Sequence, residues 1–176
     1  MGAHNQSSIT PLVLTMSVMV GIATLLDVLM GPGGGMSTEA GYNAAAAAQL
    51  ACGHWEALWA LQYKWFCGGC TTEAVMAVPM FKLFGAHVLS WKWMIGCMHV
   101  LMVSAGVAIA GRAAGSRAAF VFAGLMLAAP GFYRELALSG FGNHAESTTF
   151  PFVAAALIFF THRRPLWAKV MAGIAA

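Results

Sequence analysis

Six acidic residues, nine basic ones, six histidines and four cysteines carry most of the titratable chemistry of this 176-residue chain. Glu39 stands out among the acids. It follows the glycine-rich break Gly31–Gly35 and opens the Ala-rich stretch Tyr42–Leu50. Placed at a membrane surface, such a carboxylate can act as a general base toward an acceptor hydroxyl or amine. The plainer reading is a first-turn helix acid favoured by the helix dipole. Glu73, after Thr71-Thr72, and Glu146, after Asn143-His144, divide the same way. Each is a helix-start acid, or part of an oxygen-ligand set with Glu39 that suits Mg²⁺ or Mn²⁺. Glu39 and Glu146 are the residues expected to hold such a divalent cation.

The basic and sulfur groups offer other chemistry. Arg134, beside Glu135, has the planar fork that binds phosphate bidentately; its alternative is a local ion pair or a snorkelling side chain. Lys64 is a second cation on the same side, and His144 can ligate or hydrogen-bond a phosphate. Cys67-Gly68-Gly69-Cys70 has redox-motif spacing, and with Cys52 and His54 it makes a conceivable zinc set. It lacks the βαβ setting of a thioredoxin-like site, so a structural disulfide between Cys67 and Cys70 is the plain reading in an oxidising compartment. Cys97 and His99 read as packing residues, and the 12 methionines as adaptable apolar filling.

The elements that position these groups follow from composition. The chain is 60% hydrophobic and 9% charged, with a mean hydropathy of +0.74. Soluble domains carry about 25% charged residues, so the apolar excess must face lipid. The net charge of +3 is scattered, with no Lys/Arg-rich run, which argues against a nucleic-acid partner. Residues 11–30 are apolar apart from Asp27, Ser17 and two threonines, and suit one crossing of a ~30 Å core at about 1.5 Å per residue. The start of the chain lacks the basic n-region of a secretory signal, so this segment reads as a retained span.

Residues 31–85 are too polar to span and too aromatic for a free loop, with Trp55, Trp59, Tyr63, Trp65 and Phe66 suited to headgroup depth. Ser37 or Thr38 should cap one helix there, and Thr71 or Thr72 a second that contains Pro79 and ends at Gly85. Further spans are expected at 87–110, 118–138 and 145–161, with a partial one at 166–176. Pro130-Gly131 interrupts the third. The predicted fold is all-α, a polytopic transmembrane helical bundle with interfacial helices between spans one and two, forming a single domain over 1–176.

Basic residues in short loops set the orientation. Arg112 with Arg117, and Arg163 with Arg164, belong in the cytoplasm, with an even number of crossings between them. The N-terminus is then cytoplasmic and residues 31–85 and 131–144 are external. Glu39, Glu56, Glu73 and Glu135 fall in external segments, and Asp27 and Glu146 at external helix ends. All six acids thus gather at one water boundary.

Several motifs in this order resemble a known family. They are Glu39-Ala40-Gly41-Tyr42 after the first span, then Tyr63-Lys64-Trp65-Phe66-Cys67-Gly68-Gly69-Cys70-Thr71-Thr72-Glu73-Ala74, then Pro79-Met80-Phe81-Lys82-Leu83-Phe84-Gly85. A long span ending in Gly111-Arg112 and the loop Gly142-Asn143-His144-Ala145-Glu146 follow. The run is similar to the N-terminal part of the GT-C superfamily membrane glycosyltransferases, the protein-mannosyltransferase-like enzymes, from about residue 9 to residue 165. The resemblance implies transfer of a sugar from a polyprenyl-phosphate donor to an acceptor on the external face. Glu39 would be catalytic, and Arg134, Lys64, Glu73, Asn143, His144 and Glu146 would bind substrate. The family usually has an Asp-Glu pair where this chain has Thr38-Glu39. It also implies a bacterial inner (plasma) membrane setting and a longer chain, so that this one is an N-terminal portion or a module needing a partner membrane subunit. The other function classes are a thiol-disulfide or metal-handling membrane protein built on Cys67 and Cys70, and a non-catalytic membrane subunit.

Overall fold

A computed structural model describes residues 6–30, 36–60, 71–139 and 144–161. All regular structure among them is helical: α1 (Gln6–Met30), α2 (Thr38–Ala51), α3 (Ala57–Ala60), α4 (Thr71–Phe84), α5 (Val88–Ala114), α6 (Ser116–Leu127), α7 (Gly131–Ser139) and α8 (His144–Thr161). The all-α expectation holds. Among the described residues one helix, α5, is long and apolar enough to cross a membrane. Its 27 residues reach roughly 40 Å at about 1.5 Å each, more than a ~30 Å hydrocarbon core.

The helix ends are set by local chemistry. Ser37 caps α2, its Oγ accepting from the Ala40 N–H at 3.1 Å, which satisfies one of the first-turn donors. Thr71 and Thr72, expected as caps, lie inside α4. At the far end of α4 the Gly85 N–H donates to the Phe81 carbonyl at 2.9 Å, and Gly85 takes φ +86°, a left-handed geometry that ends the helix. Two residues on, His87 caps α5: the Ser90 N–H donates to His87 Nδ1 at 3.2 Å. Gly115, at φ +88°, separates α5 from α6.

The expected third span, 118–138, is not one helix. α6 stops at Leu127, with the Ala128 N–H closing onto the Gly124 carbonyl at 2.9 Å, and α7 begins afresh at Gly131. Pro130 accounts for the break, because its ring disfavours helical geometry at Ala129 and it offers no N–H to continue the ladder.

The chain divides into two compact units. One comprises residues 1–24, 99–130 and 148–176. Its core joins Met16 and Val20 of α1, Met102, Val103 and Val107 of α5, and Ala119 and Ala123 of α6. Gly106 lies against the rings of Phe122 and Phe152, whose centroids are 6.4 Å apart. A methyl group there would overlap the Phe122 ring and press on Phe152 at 3.2 Å. Gly106→Ala is therefore expected to lose about 1 kcal/mol of stability despite the better helix propensity of Ala. Thermal unfolding in micelles checks this, and adding Phe122→Leu should restore the loss.

The other unit comprises residues 25–98 and 131–147. Its core is built from α2, α4 and the first turns of α5, with Ala40, Ala47 and Leu50 meeting Ala74, Ala77 and Phe81, and Trp91, Ile95 and Met98 closing it. The alanines are fully buried. Small side chains let the backbones of α2 and α4 approach closely, as in membrane helix pairs. The inward face of α5 runs through Trp91, Met94, Ile95 and Met98. That spacing turns Cys97 outward, so it is an exposed free thiol rather than a packing residue.

Candidate functional site: a buried carboxylate cluster

The inward face of α4 begins with Glu73, one position before Ala74 and four before Ala77, so the packing that buries those alanines also buries the carboxyl. Glu73 has no solvent exposure. Facing it from α2 are Glu39 and Asn43, one helical turn apart, and from α8 comes Glu146. Asn43 is 3% exposed and Glu146 8%, while Glu39 is half-buried. Each of the three glutamates lies in the first turn of its helix, where the positive end of the dipole favours a carboxylate. The Glu73 backbone N–H also interacts with the Glu146 carboxyl, so a side chain of α8 meets the open end of α4.

Hydrogen bonding within the cluster is incomplete. Buried atoms with no hydrogen-bond partner include both carboxyl oxygens of Glu73, Oε1 of Glu39, Oε2 of Glu146 and Nδ2 of Asn43. The Asn43 amide lies close enough to Glu73 to favour its charged form, yet outside hydrogen-bonding geometry. Burial dominates: it pushes the Glu73 carboxyl up from 4.5 to about 8, with the Glu146 charge adding to the rise, Asn43 opposing it, and Glu39 adding a smaller part. A rise of that size favours the neutral carboxylic acid at Glu73 at neutral pH.

No family model matches the chain, and no curated protein or solved structure matches it either. Among the described residues no three His, Cys, Asp or Glu side chains come together as a metal site, and no further His, Cys, Asp or Glu joins Glu39 and Glu146 in a metal-holding arrangement.

Of the residues singled out in the sequence, Glu39, Glu73 and Glu146 are brought together. Arg134 lies in α7 and His144 opens α8, their side chains outside the described set. Lys64, Asn143, Cys67 and Cys70 lie outside the described residues, as does the partial span 166–176. Of the supposed zinc set, Cys52 is an exposed free thiol, and His54 Nδ1 pairs with Glu56 Oε1 at 3.1 Å on the surface. A backbone hydrogen bond, then His54, hold the Glu56 carboxyl below its usual range. Asn43 was missed. Its signal was present: a polar side chain four residues after Glu39, within a helix otherwise rich in alanine.

Proposed function

We propose that this chain is a polytopic membrane protein of the glycosyltransferase type, transferring a sugar from a polyprenyl-phosphate donor to an acceptor at the external face. The observation that carries the reading is the meeting of Glu39, Glu73 and Glu146 from three helices far apart in sequence. Those are three of the acids that the GT-C resemblance assigns to one site. Exposed apolar faces support the membrane setting beyond α5. On α1 they comprise Leu14, Val18, Ile22, Leu26 and Leu29; on α6, Phe120, Val121 and Leu125; on α8, Phe152, Leu157, Ile158 and Phe159. Exposed apolar side chains in such number on these helices suit contact with lipid.

In this reading Glu39 takes the proton of an acceptor hydroxyl as its oxygen attacks the anomeric carbon. The bond from that carbon to the phosphate oxygen breaks with inversion, and its electron pair leaves with the lipid phosphate. Arg134 and Lys64 neutralise that phosphate, while Asn143, His144 and Glu146 hold the donor; Glu73, with no solvent exposure, supports them from behind rather than touching it.

The test is transfer itself. The purified chain, reconstituted in vesicles containing a radiolabelled polyprenyl-phosphate hexose, should release polyprenyl phosphate and label an added acceptor or water. Absence of release across mannosyl, glucosyl and aminosugar donors would sink the reading.

A further inference from the structure

Glu73 faces Glu39 and Asn43 of α2 and Glu146 of α8. An ionised carboxylate at that position would be fully buried, with both oxygens unpaired and two further carboxyls opposite. Low-dielectric burial without a countercharge is untenable for an anion, whereas a neutral carboxylic acid gains an O–H donor for which the neighbouring carboxyl oxygens are acceptors. The Asn43 amide is an independent sign that the cluster is short of a binding partner. It is 3% exposed, turned toward Glu73, and its Nδ2 has no hydrogen-bond partner.

We infer that Glu73 is a proton-binding positioning residue, whose bound proton joins α4 to α2 and α8 and so holds Glu39 in place. This deepens the sugar-transfer reading, on which the role of Glu39 rests. Loss of that proton leaves an unpaired negative charge on a fully buried carboxyl that faces two further carboxyls, and the cost of that burial loosens the packing of the helices around it. The proton leaves to solvent base and returns from solvent acid, so no further reactant is needed.

The linkage has a definite sign. The Glu73 carboxyl is raised from 4.5 to about 8, so the folded chain holds a proton that the unfolded chain releases within that window. Stability is then greatest below pH 4.5 and falls as the pH rises toward 8. Glu73→Gln keeps shape and neutrality and cannot ionise.

The experiment uses the full chain in micelles. Unfolding midpoints are measured from pH 4 to 9 for the wild type and Glu73→Gln, together with the infrared carbonyl band of protonated carboxyl groups. The wild type should lose stability across the window and show a carboxylic band that disappears near pH 8. The variant should lack the component of that band that disappears near pH 8 and show a flatter pH response. Equal slopes and an unchanged band in the two proteins would overturn the inference, whatever the activity. If the band and slope behave as expected but neither protein transfers sugar, the proton at Glu73 stands and the sugar-transfer reading falls. Should Glu73→Gln fail to fold, the wild-type band decides alone: titration near pH 8 supports the inference, and its absence overturns it.

Discussion

With Glu39 as the base of the proposed sugar transfer, Glu39→Gln is expected to leave the chain folded and to lower the transfer rate by about 10²- to 10⁴-fold, the usual contribution of a positioned general base. Gln preserves the shape of the side chain, and Glu39 is half-buried at the start of α2, so little packing changes. The helix keeps its cap, because the donor to Ser37 is the Ala40 N–H and not the glutamate. What is lost in stability is the interaction of the charge with the helix dipole, ~0.3–1 kcal/mol. A base and a mere helix-start acid therefore predict opposite patterns. For the base, the turnover number collapses while the unfolding midpoint barely moves. For the helix acid, the midpoint slips and turnover is unchanged. Measuring both on one preparation decides between them, and unchanged turnover would remove Glu39 from the mechanism.

Trp91→Ala should give the largest loss of stability, ~3–5 kcal/mol. Trp91 is 1% exposed and meets Phe81 edge-on, with ring centroids 6.5 Å apart at 61°. Truncation leaves a cavity between α5 and α4, the helix that carries Glu73. Trp91→Phe separates volume from polarity. It retains a ring against Phe81 and removes the indole Nε1–H, which is buried without an acceptor. The energy of an unmet donor offsets part of the lost area, so this variant should lose less than ~1.5 kcal/mol. Denaturant unfolding in mixed micelles reports both. A Trp91→Ala protein within about 1 kcal/mol of the wild type would mean that this packing contributes little.

Hydropathy carried much of this architecture in advance. The apolar runs at 11–30 and 87–110 correspond to α1 and α5, and Ser37 and Gly85 bound their helices where turn chemistry places them. Pro130 was legible as an interruption, but not as the complete end of a helix, since a proline can kink as well as stop. The three glutamates were legible one at a time, because first-turn acids have a local signature, and their gathering was expected from the topology; the packing that buries Glu73 among them was not. It depends on which face of α4 packs on α2, and that is settled by the small side chains Ala74 and Ala77 beside Glu73 meeting those of α2. Asn43 carried a signal of its own, a polar side chain one turn after Glu39 in an alanine-rich helix, but what it faces is set by the packing of α4 on α2.

The corner between α5 and α6 turns on stereochemistry alone. At Gly115 no atom lies within 4 Å of where a side chain would begin, yet the backbone is left-handed there. Size therefore exerts no selection at this position, and chirality exerts all of it. A D-alanine would sit without strain where its L mirror image would be held in a backbone region that only glycine enters freely, at a penalty of roughly 1–3 kcal/mol.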